Sequence, residues 1–75
     1  MDADKLVRMA NQIAANFEGS RDESQAVAGV TDHIRRFWSP LMREQVIARW
    51  RQDPSELSPR AARAIASIAE SAASA

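Results

Sequence analysis

The 75-residue sequence contains no cysteine and a single histidine, His33. No disulfide can brace the chain, and neither a thiolate metal site nor a catalytic cysteine can be built from it. One imidazole without cysteines leaves no credible zinc site. Glycine occurs only at Gly19 and Gly29, so there is no glycine-rich loop to cradle a phosphate. No apolar run approaches the roughly 20 residues of a membrane-crossing helix. The opening MDADKLVRM is acidic early and lacks the apolar stretch of a signal peptide, so a cytoplasmic protein is expected. A chain this short buries only about 60% of its unfolded surface, which makes one small domain the natural unit and leaves that domain marginal.

The charges that are present balance to zero, but unevenly along the chain. Residues 1–34 carry three cations against six anions, and residues 35–63 carry seven arginines against three acids. The basic second half either complements the acidic first half within the fold or meets an acidic partner or phosphates. Aromatic and cationic residues concentrate in DHIRRFWSPLMR, residues 32–43. The stretch holds His33, Phe37, Trp38 and three arginines.

Periodicity predicts an all-α fold, a compact bundle of three to four short helices over residues 1–71, with a frayed tail at 72–75. A first helix over residues 4–18 would be capped by Asp2 or Asp4. It places Leu6, Ala10, Ile13 and Phe17 on one stripe at about 100° per residue, and Gly19 can end it in a left-handed conformation. A second helix over residues 22–38, capped by Ser20 or Asp22, gathers Ala26, Val27, Val30, Ile34, Phe37 and Trp38 into one apolar arc. Gly29 lies just outside that arc; its cost against alanine, up to about 1 kcal/mol, suggests a close approach of another backbone. Ser39-Pro40 then stops one helix and starts the next, since proline disfavours helix in the residue before it yet fits the first helical position.

The third helix, residues 40–51, stacks Met42, Val46 and Trp50 one turn apart. Arg43 falls inside its apolar arc, where an arginine either snorkels over the tryptophan or pairs with a carboxylate. After a loop over residues 52–57, Ser58-Pro59 repeats the start signal for a fourth helix, residues 59–71. Its apolar face is mostly alanine (Ala61, Ala62, Ala66, Ala69, Ala72), with Ile65 and Ile68 as the only large members.

No catalytic, cofactor-binding or metal-binding residue emerges. A Ser–His–Asp arrangement would have to use Asp32 beside His33, and neighbouring helical residues do not face each other. A small DNA-binding helical protein is the rival class. Against it, the isoelectric point is near 6.6, where a nucleic-acid-binding domain is usually well basic. The candidate partner-binding residues are His33, Arg36, Met42 and Arg43, bordering a structural corner and core of Ile34, Phe37, Trp38, Pro40 and Trp50. Tryptophan and arginine are enriched at interface hot spots, which favours an interaction reading.

The same residues carry a family resemblance. The pattern from Asp4 through Ile13, DKLVRMANQI, continues to Phe17 and is strongest at Asp32 through Trp38, followed by Pro40, Met42-Arg43, Leu57-Ser58-Pro59 and Ala64-Ile65. Over residues 2–68 the chain resembles the delta subunits of NAD-dependent, molybdenum-containing formate dehydrogenases. The resemblance implies a small accessory subunit, not an enzyme by itself, beside large subunits that carry molybdenum guanine dinucleotide, iron–sulfur clusters and FMN and oxidise formate with NAD. It implies the catalytic and other subunits as partners, with no nucleic acid and no membrane. It leaves open whether the chain stays in the mature complex or acts only in maturation, as a factor for cofactor insertion.

Overall fold

A computed structural model of the chain describes residues 2–17 and 22–73. It is built from four helices: α1 (Ala3–Ala15), α2 (Glu23–Phe37), α3 (Pro40–Gln52) and α4 (Pro59–Ala73), with a 3-10 turn over Pro54–Glu56 between the last two. Among the described residues there is no strand. The all-α bundle expected from periodicity is what the chain forms.

Each helix begins where a short acceptor side chain precedes it. Asp2 accepts from the Asp4 N–H at 3.0 Å and Asp22 from the Ser24 N–H at 2.9 Å. Ser39 accepts from the Met42 N–H at 3.2 Å, and Ser58 from the Ala61 N–H at 3.3 Å. Asp53 does the same for the 3-10 turn, accepting from Ser55 N–H at 3.2 Å. These oxygens satisfy N–H groups that have no partner inside the helix. Helix α1 ends three residues earlier than its periodicity suggests. The Phe17 N–H reaches only three residues back, to the Ala14 carbonyl, so the last turn tightens and the chain leaves the helix. The predicted left-handed cap at Gly19 lies outside the described residues. Helix α4 continues through Ala73, past the predicted end near residue 71.

One core joins all four helices. Leu6, Val30, Ile34, Val46 and Ile65 are its largest fully buried members, each contributing about 1.5–3 kcal/mol by leaving water. The alanine face of α4 is turned slightly from its predicted position. Ala61, Ala64, Ile65, Ile68 and Ala69 are buried, whereas Ala66 is half-exposed and Ala72 exposed. Small side chains there let α4 lie close against α2, its main neighbour. Gly29 meets a side chain, not a backbone. A Cβ at this position would stand 2.5 Å from Cε1 of Phe17, so the missing side chain makes room for that ring.

Phe37 departs from its expected place. It is 70% exposed, whereas its neighbour Trp38 is 6% exposed. The core-facing line of α2 follows the row Ala26, Val30, Ile34, Trp38, all buried. A row of i+4 steps is inclined to the helix axis, so it drifts round the helix by about 40° per step. By the last turn it has moved past Phe37. A single-axis projection puts Phe37 inside the arc; the inclined row leaves it outside.

Candidate functional site

The corner between α2 and α3 is assembled from main-chain chemistry. Trp38 and Ser39 leave the helix in extended conformations. Ser39 caps α3, and Pro40 occupies its first turn, where no N–H is needed. Arg43, one turn into α3, reaches back across the corner. Its Nη1 donates to the carbonyl oxygen of Arg35 at 3.1 Å and to that of Trp38 at 3.4 Å. These carbonyls belong to the last turn of α2, which lacks internal donors and carries the negative end of the helix dipole. Neither expectation for Arg43 holds: it pairs with no carboxylate and makes no cation–π contact among the described residues. It is a cap supplied by one helix to the end of another.

The other candidate residues divide around this frame. Ile34 and Trp38 are buried, Met42 packs half-buried against the core, and Trp50 does so further along α3. His33, Arg36 and Pro40 are exposed. The His33 and Phe37 rings lie against each other, centroids 4.8 Å apart and tilted by 47°. Arg36 pairs with Asp32 at 3.6 Å, one helical turn back and in solvent, where such a contact is worth little. Arg35 reaches Ser71 of α4. The structure therefore brings His33 and Phe37 together as one exposed aromatic pair. It turns Met42 and Arg43 mostly inward.

One residue of the corner escaped the sequence reading. Leu41 is 60% exposed, and together with Phe37 it makes up the exposed large hydrophobics of the described residues. The signal was available: Leu41 stands one residue, about 100°, off the stripe Met42, Val46, Trp50. Phe37 ends the last turn of α2 and Leu41 stands in the first turn of α3.

The opposite side of the bundle is closed by polar contacts. Asn11 of α1 donates from Nδ2 to the Glu56 carbonyl at 3.1 Å and accepts at Oδ1 from the Ser58 N–H at 2.8 Å. Arg49 donates to both oxygens of Glu56, at 2.7 and 3.2 Å, and to Asp4. The hydrogen bond to Glu56 is the main reason its guanidinium holds its proton more firmly than usual, and nearby Asp4 adds to it. Arg60 grips Glu23 through two bonds of 3.0 and 2.9 Å and donates to the Ala14 carbonyl at 3.0 Å. That grip holds the Glu23 carboxyl below the ordinary glutamate range. Part of the basic second half thus complements the acidic first half within the fold. Among the described residues no group of three His, Asp or Glu lies close enough to hold a metal ion, and no helix is long and apolar enough to cross a membrane.

A family model described as the NADH-dependent formate dehydrogenase delta subunit FdsD matches residues 5–65. That interval contains α2, α3, the corner between them and the Asn11 bridge. Comparisons with curated proteins and with solved structures gave no match.

Proposed function

The chain belongs to the formate dehydrogenase delta-subunit family, and we propose that it serves such an enzyme as a non-catalytic accessory subunit, supporting assembly or stability of the active complex. The observation that carries this reading is the exposure of Phe37 and Leu41 at the α2–α3 corner. In this role the corner docks on another subunit. Phe37 and Leu41 are the apolar anchors, His33 and Arg36 flank them, and Met42 backs them from the core. Arg43 fixes the angle at which they are presented. Burying two such side chains would contribute about 3–6 kcal/mol before the costs of association.

The chemistry of formate oxidation belongs, in this reading, to the other subunits, and so do the molybdenum guanine dinucleotide, iron–sulfur and FMN centres expected of them. This chain offers them no cysteine. The reading also holds that the chain works in the cytoplasm, contacts neither nucleic acid nor membrane, and remains in the mature complex.

Purification of the complex with wild-type chain and with Phe37→Asp tests it. The expected result is loss of the variant chain from the complex, with enzyme of lowered stability that still contains molybdenum. Retention of Phe37→Asp at wild-type stoichiometry and activity would overturn the docking assignment. A wild-type chain absent from mature enzyme, together with molybdenum-free enzyme when the chain is withheld, would make it a transient maturation factor instead.

A further inference from the structure

Of the seven arginines in residues 35–63, five have work within the chain. Arg35 reaches Ser71, Arg36 pairs with Asp32, Arg43 caps α2, Arg49 holds Asp4 and Glu56, and Arg60 holds Glu23. Arg51 and Arg63 are exposed and make no hydrogen bond or ion pair among the described residues. Arg63 acts only through its field, which adds to the lowering of the Glu23 carboxyl. Both line the same groove between α3 and α4, with the half-buried Trp50 and, along α4, the small floor residues Ala66 and Ala69. Beyond Arg51 the groove continues over Ile47 and Ala48 to Ala72. From position 63 to 72 it runs about 14 Å, or about two and a half helical turns. The small floor residues let another backbone approach, and the tryptophan gives it an apolar surface to cover. Glu70 edges the groove near the arginines, and Glu44 stands at its far end. The stretch that holds both arginines is thus net positive, and the stretch beyond it, where Arg51 faces Glu44 alone, is balanced.

We infer that the α3–α4 groove is a second docking surface, fitted to an amphipathic helix of another subunit of the complex that lays an apolar stripe over Trp50, Ala66 and Ala69 and presents carboxylates to Arg51 and Arg63. The end of such a helix that suits the arginines is its C-terminal end, where the dipole is negative. This inference rests on the accessory-subunit reading and adds to it. The corner and the groove share α3 but use different residues of it, together with α2 in one case and α4 in the other, so the chain joins two parts of the complex and does not merely cap one.

The test uses the full chain and the enzyme complex prepared without it, with binding followed as salt is raised. Arg51→Glu/Arg63→Glu is expected to bind about tenfold more weakly at low salt and to show a flatter salt dependence, while its helix content matches wild type and its unfolding midpoint falls only slightly, through the lost field on Glu23. Arg51→Lys/Arg63→Lys should keep most of the affinity, and Ala66→Trp, which fills the groove, should lose it. A photo-crosslinker at position 48, on the exposed edge of the groove, should capture an acidic helical segment of another subunit. The inference fails if the double charge reversal binds like wild type while Phe37→Asp does not; the accessory reading then stands with the corner alone. It also fails if the crosslinker joins two copies of this chain. Wild-type chain that does not bind the complex at all would overturn both.

Discussion

The two sides of this small bundle use similar residues to opposite ends. Where α1 meets the turn before α4, Asn11, Arg49 and Arg60 each find partners far away in sequence, and the polar groups close a seam. At the α2–α3 corner the chain leaves Phe37 and Leu41 in water and the His33 ring lying against Phe37. An arginine or an aromatic residue is not a site by its type. What distinguishes the two regions is whether the fold itself supplies the partner. At the seam it does; at the corner it supplies a rigid frame and no cover.

The sharpest way to break this comparison is to cut two adjacent residues at the corner, one inside its frame and one outside it. Trp38→Ala removes a buried indole and should cost about 3–5 kcal/mol, enough to unfold much of so small a domain, as read by urea denaturation. Phe37→Ala should change stability by no more than about 0.5 kcal/mol while weakening retention in the complex. Equal losses of stability would erase the distinction. Asn11→Ala probes the seam alone. It leaves the Ser58 N–H and the Glu56 carbonyl without their partner and should cost about 1–3 kcal/mol, with binding per folded molecule unchanged. Gly29→Ala asks how tightly the end of α1 is fitted to α2. The overpacking penalty against Phe17, about 1–3 kcal/mol, outweighs a helix-propensity gain of up to about 1 kcal/mol, so a small net loss in the melting temperature is expected.

The smallest effect concerns acid. Arg60 lowers the Glu23 carboxyl in the folded chain, so the stabilisation from this pair is present above the ordinary glutamate range. It is lost as the pH falls from about 5 through the lowered value. Glu23→Gln should therefore melt slightly lower than wild type near neutrality, and the gap should close on acidification. A gap that widens in acid would reverse the sign and remove the pair from the seam.

Much of this architecture is legible in the sequence, because its signals are local. Aspartate or serine stands before every described helix, proline follows two of the serines, and i+4 rows of apolar residues mark the buried faces. The corner was legible for the same reason: Ser39-Pro40 needs no distant partner to end one helix and begin another. Three things were not legible. Phe37 lies outside the core because the buried row is inclined to the axis, which a projection down that axis hides. The partners of Arg43 are carbonyl oxygens, which every residue carries and no side chain advertises. Asn11 and Arg49 meet groups brought close only by the finished packing, and no spacing along the chain foretells those meetings. Of the candidate contact residues, the exposure of Arg36 could be anticipated from its wheel position, whereas His33 stands at the edge of the predicted arc beside Phe37 and is left outside the core with it. Leu41 could have been found the same way.

The bond from Arg43 to the main chain of α2 has a consequence for how the corner can change. Because it grips carbonyls, its hold does not depend on which side chains occupy positions 35 to 38. The outward residues of that last turn can be exchanged, one partner surface for another, without loosening the joint that aims them. The joint and the face it presents are therefore separable: the first is held by Ser39, Pro40 and Arg43, and the second is free to vary.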